Sequence, residues 1–200
     1  MAIDLCLLAA PKEVENILTK AIVHQDSEYP DAVFALSSAL ENNFTDFGHP
    51  DWIELKKDAQ DVLKYYPEEK FNSKFYLDTN RTFQMFDYLI AKREDSVRHF
   101  KDAIPFFYDG IKHATCISGQ GFGLLYWDLD ILRKKKSLLD AVSFEEFYEV
   151  YDAENMIAEG VYKIEQLQGK TEELRTMFTK IKQFLEHALT LKGYVLIIKC

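Results

Sequence analysis

Three glycines in five residues, Gly119, Gly121 and Gly123 within CISGQGFGLLYWD, have the composition of a loop that could cradle a phosphate. A dinucleotide fingerprint places G-x-G-x-x-G between a strand and a helix, so that the backbone approaches a pyrophosphate at the helix N-terminus. Here the third glycine falls one position early, and the residues after it, GLLYW, read as a strand. No helix dipole would then point at the ligand, and a Gly-Lys-Ser/Thr sequence occurs nowhere in the chain. The spacing predicts a turn or bulge that needs positive φ, in preference to an anion-binding loop.

Other chemistry has still less support. The histidines, His24, His49, His99, His113 and His187, include no pair at the i, i+4 spacing of a helical metal site, and the cysteines Cys6, Cys116 and Cys200 form no CxxC. No metal or cofactor is expected, and free thiols fit a reducing cytoplasm. Asp95 and His99 stand four apart, which reads as a solvated helix pair. No serine lies in G-x-S-x-G, so the sequence points away from an enzyme of the nucleophilic hydrolase class.

Charge is more informative. The net charge of −9 repels nucleic-acid phosphates and anionic lipid, and the acidic start MAIDLCLLAAPKE is neither a signal peptide nor long enough to cross a bilayer. From Ala21 through Leu55 there is no Lys or Arg, while Asp26, Glu28, Asp31, Glu41, Asp46, Asp51 and Glu54 all fall inside. Within this segment Phe44, Phe47 and Trp52 interleave with the acids, and loop aromatics beside charges are raw material for an interface. Asp46, Phe47, Asp51, Trp52 and Glu54 are therefore the candidate partner-binding residues. The one dense basic run, Arg133 to Lys136, reads as a solvated helix face.

These residues must be carried by secondary structure. MAIDLCLLA opens the chain as a short buried strand. Val14, Ile17, Leu18, Ala21 and Ile22 give a helical stripe over about 12–24, and further helices follow around Asp31–Leu40, Leu55–Tyr66 and RTFQMFDYLIAK, the last with Phe83, Phe86, Leu89 and Ile90 inward. FFYDGIKHATCI and GLLYW predict strands on either side of the glycine turn. Asp128 caps the next helix, and Ser143 with Glu146 forms a capping box for another. Thr171 to Lys192 holds helical period over five turns, with Gly193 as its left-handed cap. The terminal YVLIIK is continuously apolar, as a strand buried on both faces is. The expected class is α+β, a helix-rich single domain over residues 1–200, with a small sheet and a central C-terminal strand.

LDTNRTFQMFDYLI, the glycine turn, LLYWDLDILRKKKSLLDAVSFEEFYEVYDAENM, VYK, a long helix and an apolar last strand together resemble the YfbM-like family of small bacterial proteins. The matching positions are Leu77, Asp78, Phe83, Tyr88 and Leu89, then Tyr151, Asp152, Met156 and Tyr162. Phe83 stands where that family usually has Trp, Ala91 and Lys92 replace a glycine, and Lys163 replaces a proline. The resemblance covers about 77–198 and, more weakly, 1–22, with 25–75 as a family-variable helical insertion. It implies an α+β fold and no assigned activity.

Two functions are consistent with these residues. One is a non-catalytic cytoplasmic protein that engages a basic protein partner, with an immunity-type inhibitor as one form; acidic charge would steer such an association. The other is an enzyme or small-ligand binder with a pocket near the Gly119–Trp127 turn, walled by Tyr88, Gly119, Gly121, Trp127 and Asp152. A deep pocket with convergent polar groups would favour the second.

Overall fold

The computed structural model describes residues 5–14, 57, 61, 64–65, 74–79, 82–93, 106–107, 110–117, 123–161, 164 and 169–199. Its strands are β1 (Leu5–Ala10), β2 (Tyr76–Asp78), β3 (Ile111–Ile117), β4 (Gly123–Trp127) and β5 (Tyr194–Lys199). The helices are α1 (Phe83–Arg93), α2 (Leu129–Asp140), α3 (Phe144–Glu149), α4 (Ala153–Ala158) and α5 (Thr171–Leu191), with one 3-10 turn at Lys12–Val14. The fold is α+β.

The five strands form one sheet in the order β2-β1-β5-β4-β3, antiparallel at every junction. The C-terminal strand is the central one. It pairs with β1 along its whole length, from Leu5↔Lys199 to Ala10↔Tyr194, and with β4 from Leu125↔Ile197 to Trp127↔Val195. Its apolar run is explained by that position: Val195, Leu196 and Ile197 are buried, as is every residue of β1. Helix α5 packs across β1, β2 and β5, and α2 runs against α5, β4 and β5. Leu174, Met177, Phe178, Ile181, Phe184, Leu185 and Ala188 form its buried stripe.

The turn from α5 into β5 departs from expectation. Lys192, not Gly193, adopts the left-handed conformation, at φ 52°. Gly193 serves a different need: a Cβ there would overlap the backbone of Ala10, Pro11 and Lys12. The strand can follow the helix directly only because glycine lets two backbones touch.

Capping proceeds as the sequence predicts. Asp128 accepts from the amides of Asp130 and Ile131, and Ser143 and Glu146 satisfy each other's backbone donors. The region after Ser143 divides into two short helices because Asp152, accepting from Asn155 N at 3.0 Å, caps a second one. The predicted strand starting at Phe106 is shorter: Phe106 and Phe107 lie in a turn, and β3 begins at Ile111. Their aromatic side chains are buried all the same, filling the core from the turn.

Candidate functional site

Helix α1 is buried almost all round, and its inward residues include Asp87 as well as Phe83, Met85, Phe86, Tyr88, Leu89 and Ile90. A carboxyl in that setting must find donors. Asp87, 2% exposed, accepts from Phe107 N at 3.1 Å. Lys135 on α2, 5% exposed, donates to Phe106 O. Phe106 O and Phe107 N belong to the same peptide bond, so one peptide unit is gripped from both ends by buried ionisable groups of two helices.

Aromatic rings close the cluster. The Lys135 ammonium lies 4.6 Å from the Phe106 ring centroid and 4.9 Å from that of Trp127. Phe107 stacks on Trp127 at 6.4 Å and meets Phe86 edge-on at 6.5 Å. The Trp127 indole N–H is buried, has no acceptor among the described residues, and lies against Gly110. Burial raises the Asp87 pKa from 3.8 to about 7, against the opposing pull of the Phe107 and Phe106 amides and the Lys135 charge. Such a carboxyl can hold or release a proton near neutral pH.

The sequence pattern alone does not bring these residues together. Lys135 sits in a run expected to be solvated, and its neighbours Arg133 and Lys134 are indeed exposed. The readable signal is the helical period: Leu132, Lys135 and Leu139 share the buried face of α2. Asp87 falls between Phe86 and Tyr88 in the same way, an acid within the apolar middle of the helix.

Tyr88 and Asp152, both candidate pocket residues, are linked through Asn155. The Tyr88 hydroxyl accepts from Asn155 Nδ2 at 2.6 Å, while Asn155 N donates to Asp152. Lys92 lies 5.3 Å from the Tyr88 ring centroid and pairs with Glu159 at 3.1 Å. Burial pushes the Tyr88 hydroxyl above its ordinary value, and nearby Lys92 pulls it down. The result is a polar seam that joins α1 to α4.

Trp127, the third described candidate, belongs to the Asp87–Lys135 cluster. It ends β4, whose other end is Gly123, roughly 13 Å away at the rise of an extended strand. Gly119 and Gly121 lie outside the described residues, as do Asp46, Phe47, Asp51, Trp52 and Glu54. A groove of about 620 Å³ opens at the β2 edge, the opposite edge of the sheet from β3, between Lys74, Tyr76 and Asp78 and the α5 residues Lys180, Gln183 and His187. Among the described residues no group of three or more His, Cys, Asp or Glu could hold a metal, and no helix is long and apolar enough to cross a membrane.

Fold and site define a helix-rich α+β domain whose antiparallel sheet is built around the C-terminal strand β5. A family model described as a domain of unknown function, DUF1877, matches residues 48–198, and the chain belongs to that family. No curated protein and no solved structure matches.

Proposed function

We propose that this is a non-catalytic, cytoplasmic binding protein that engages a basic protein partner through its acidic first half, with toxin neutralisation by an immunity-type inhibitor as one form. The observation that carries the reading is the segment Ala21–Leu55, which holds seven acids and no Lys or Arg, with Phe44, Phe47 and Trp52 interleaved among the acids of its second half. A field of that kind speeds encounter with a cationic surface and is not needed for folding. The interior supports the same reading: Asp87, Lys135 and the Tyr88 hydroxyl each make a bond that joins core elements.

The likeness to the YfbM-like proteins is part of this proposal. It gains support from the way its two motif regions pack: Tyr88 and Asp152 share Asn155, and Met156 is buried. A second reading, a small-ligand binder, is favoured by the groove between β2 and α5, whose size is that of a ligand pocket.

The test is capture from the native host by the protein and by an Asp46→Lys, Asp51→Lys, Glu54→Lys variant, with bound proteins identified by mass spectrometry. A basic protein retained by the parent and lost by the variant supports the proposal. Equal retention by both would leave the acidic segment as a solubilising surface.

A further inference from the structure

Asp87 and Lys135 do more than fill the core, because the peptide they grip carries two rings that cover Trp127. We propose that the Phe106–Phe107 peptide is a proton-controlled latch, fastening the chain that enters β3 to helices α1 and α2. The peptide is planar and rigid, so a bond at each end fixes it. Release would withdraw Phe106 and Phe107 together from Phe86 and Trp127.

The groups around the Asp87 carboxyl are few among the described residues. From α2 comes Lys135, the charged group that acts on it. The turn presents the Phe106 and Phe107 amides; beyond them Phe107 stacks on Trp127 of β4, and Phe86, the residue before Asp87, stacks on Phe147 of α3 at 4.9 Å. On α1 itself, Tyr88 and Lys92 engage Asn155 and Glu159 of the α4 region, and Arg93 acts on Glu146.

The direction of control follows from proton affinity. In the closed latch burial holds the proton on Asp87 up to about pH 7, whereas a hydrated carboxyl releases it near its ordinary value of 3.8. Opening therefore releases a proton. Rising pH favours it about tenfold per pH unit between those limits, with no further effect once the closed form is itself ionised. Above pH 7 the Lys135 ammonium balances the ionised carboxylate across the peptide.

Hydrogen exchange of the Phe107 amide from pH 5 to 8, corrected for intrinsic exchange, tests the latch in the full chain. The expected protection factor falls about tenfold per pH unit up to pH 7, levels off above it, and stays below that of Leu196 in β5. In Asp87→Asn the dependence on pH disappears. In Lys135→Met the levelling point moves to higher pH, because the cation that lowers the carboxyl is gone. Protection independent of pH in the parent, an unchanged slope in Asp87→Asn, or equal protection of Phe107 and Leu196 would overturn the proposal. Should the variants fail to fold, a carbon-13 titration of the parent Asp87 carboxyl decides it: a midpoint near 7 supports the latch, and one near 3.8 refutes it.

Discussion

The Asp87 carboxyl and the Lys135 ammonium sit at opposite poles of one peptide unit, the carboxyl at the Phe107 N–H and the ammonium at the Phe106 carbonyl. Once Asp87 ionises, above about pH 7, the peptide dipole is aligned with the charges at its two ends. Two helices with no sequence proximity are joined through a backbone group of a third segment.

Folding stability should carry the mark of this arrangement. The folded chain keeps the Asp87 proton to about pH 7 and the unfolded chain loses it near 3.8, so this group's contribution is greatest at low pH. It should fall as pH rises between those values, by at most ~1.4 kcal/mol per pH unit, and stay level above. Urea unfolding of the parent and Asp87→Asn across pH 4–8 measures it; the difference between the two curves should have this shape.

The central strand should be indispensable. Removing residues 194–200 takes away the partner of both β1 and β4 together with the buried Val195, Leu196 and Ile197. Each large apolar side chain contributes about 1.5–3 kcal/mol, and their sum approaches the whole stability of a typical domain. Circular dichroism should show no cooperative melt; a transition near that of the full chain would contradict the topology.

The helix-to-strand turn offers a contrast between neighbours. Gly193→Ala should destabilise by about 2 kcal/mol or more, since the new methyl meets backbone atoms that cannot move aside. Lys192→Gly should stabilise by ~1 kcal/mol by removing a side chain from the left-handed region. Thermal melts of the two variants should move in opposite directions.

Ser143→Ala should cost about 1 kcal/mol, the usual value of a lost N-cap, because it removes the hydroxyl that accepts from the Glu146 amide and leaves only the bond from the backbone N–H at 143 to the Glu146 carboxylate. Chemical denaturation of that variant is the measurement.

What the sequence made legible was whatever rests on local pattern. The caps at Asp128 and Ser143, the long period of α5 and the buried run of β5 follow from spacing alone. Sheet order was legible only at its centre, where a strand buried on both faces must have neighbours on each side. The Asp87–Lys135 contact was not, because it depends on three segments meeting, and a charged residue on a helix is assigned to solvent until the facing element is known. At Gly193 the local pattern suggests a left-handed cap, whereas its real constraint is Ala10, far away in sequence.

The proposed function is tested most directly by the association rate with the captured basic partner, measured at low and at physiological ionic strength for the parent and the Asp46→Lys, Asp51→Lys, Glu54→Lys variant. Electrostatic steering predicts that the parent associates much faster at low salt and that the variant loses most of this advantage while its stability stays within about 1 kcal/mol of the parent's. Identical rates for parent and variant at both ionic strengths would contradict the account.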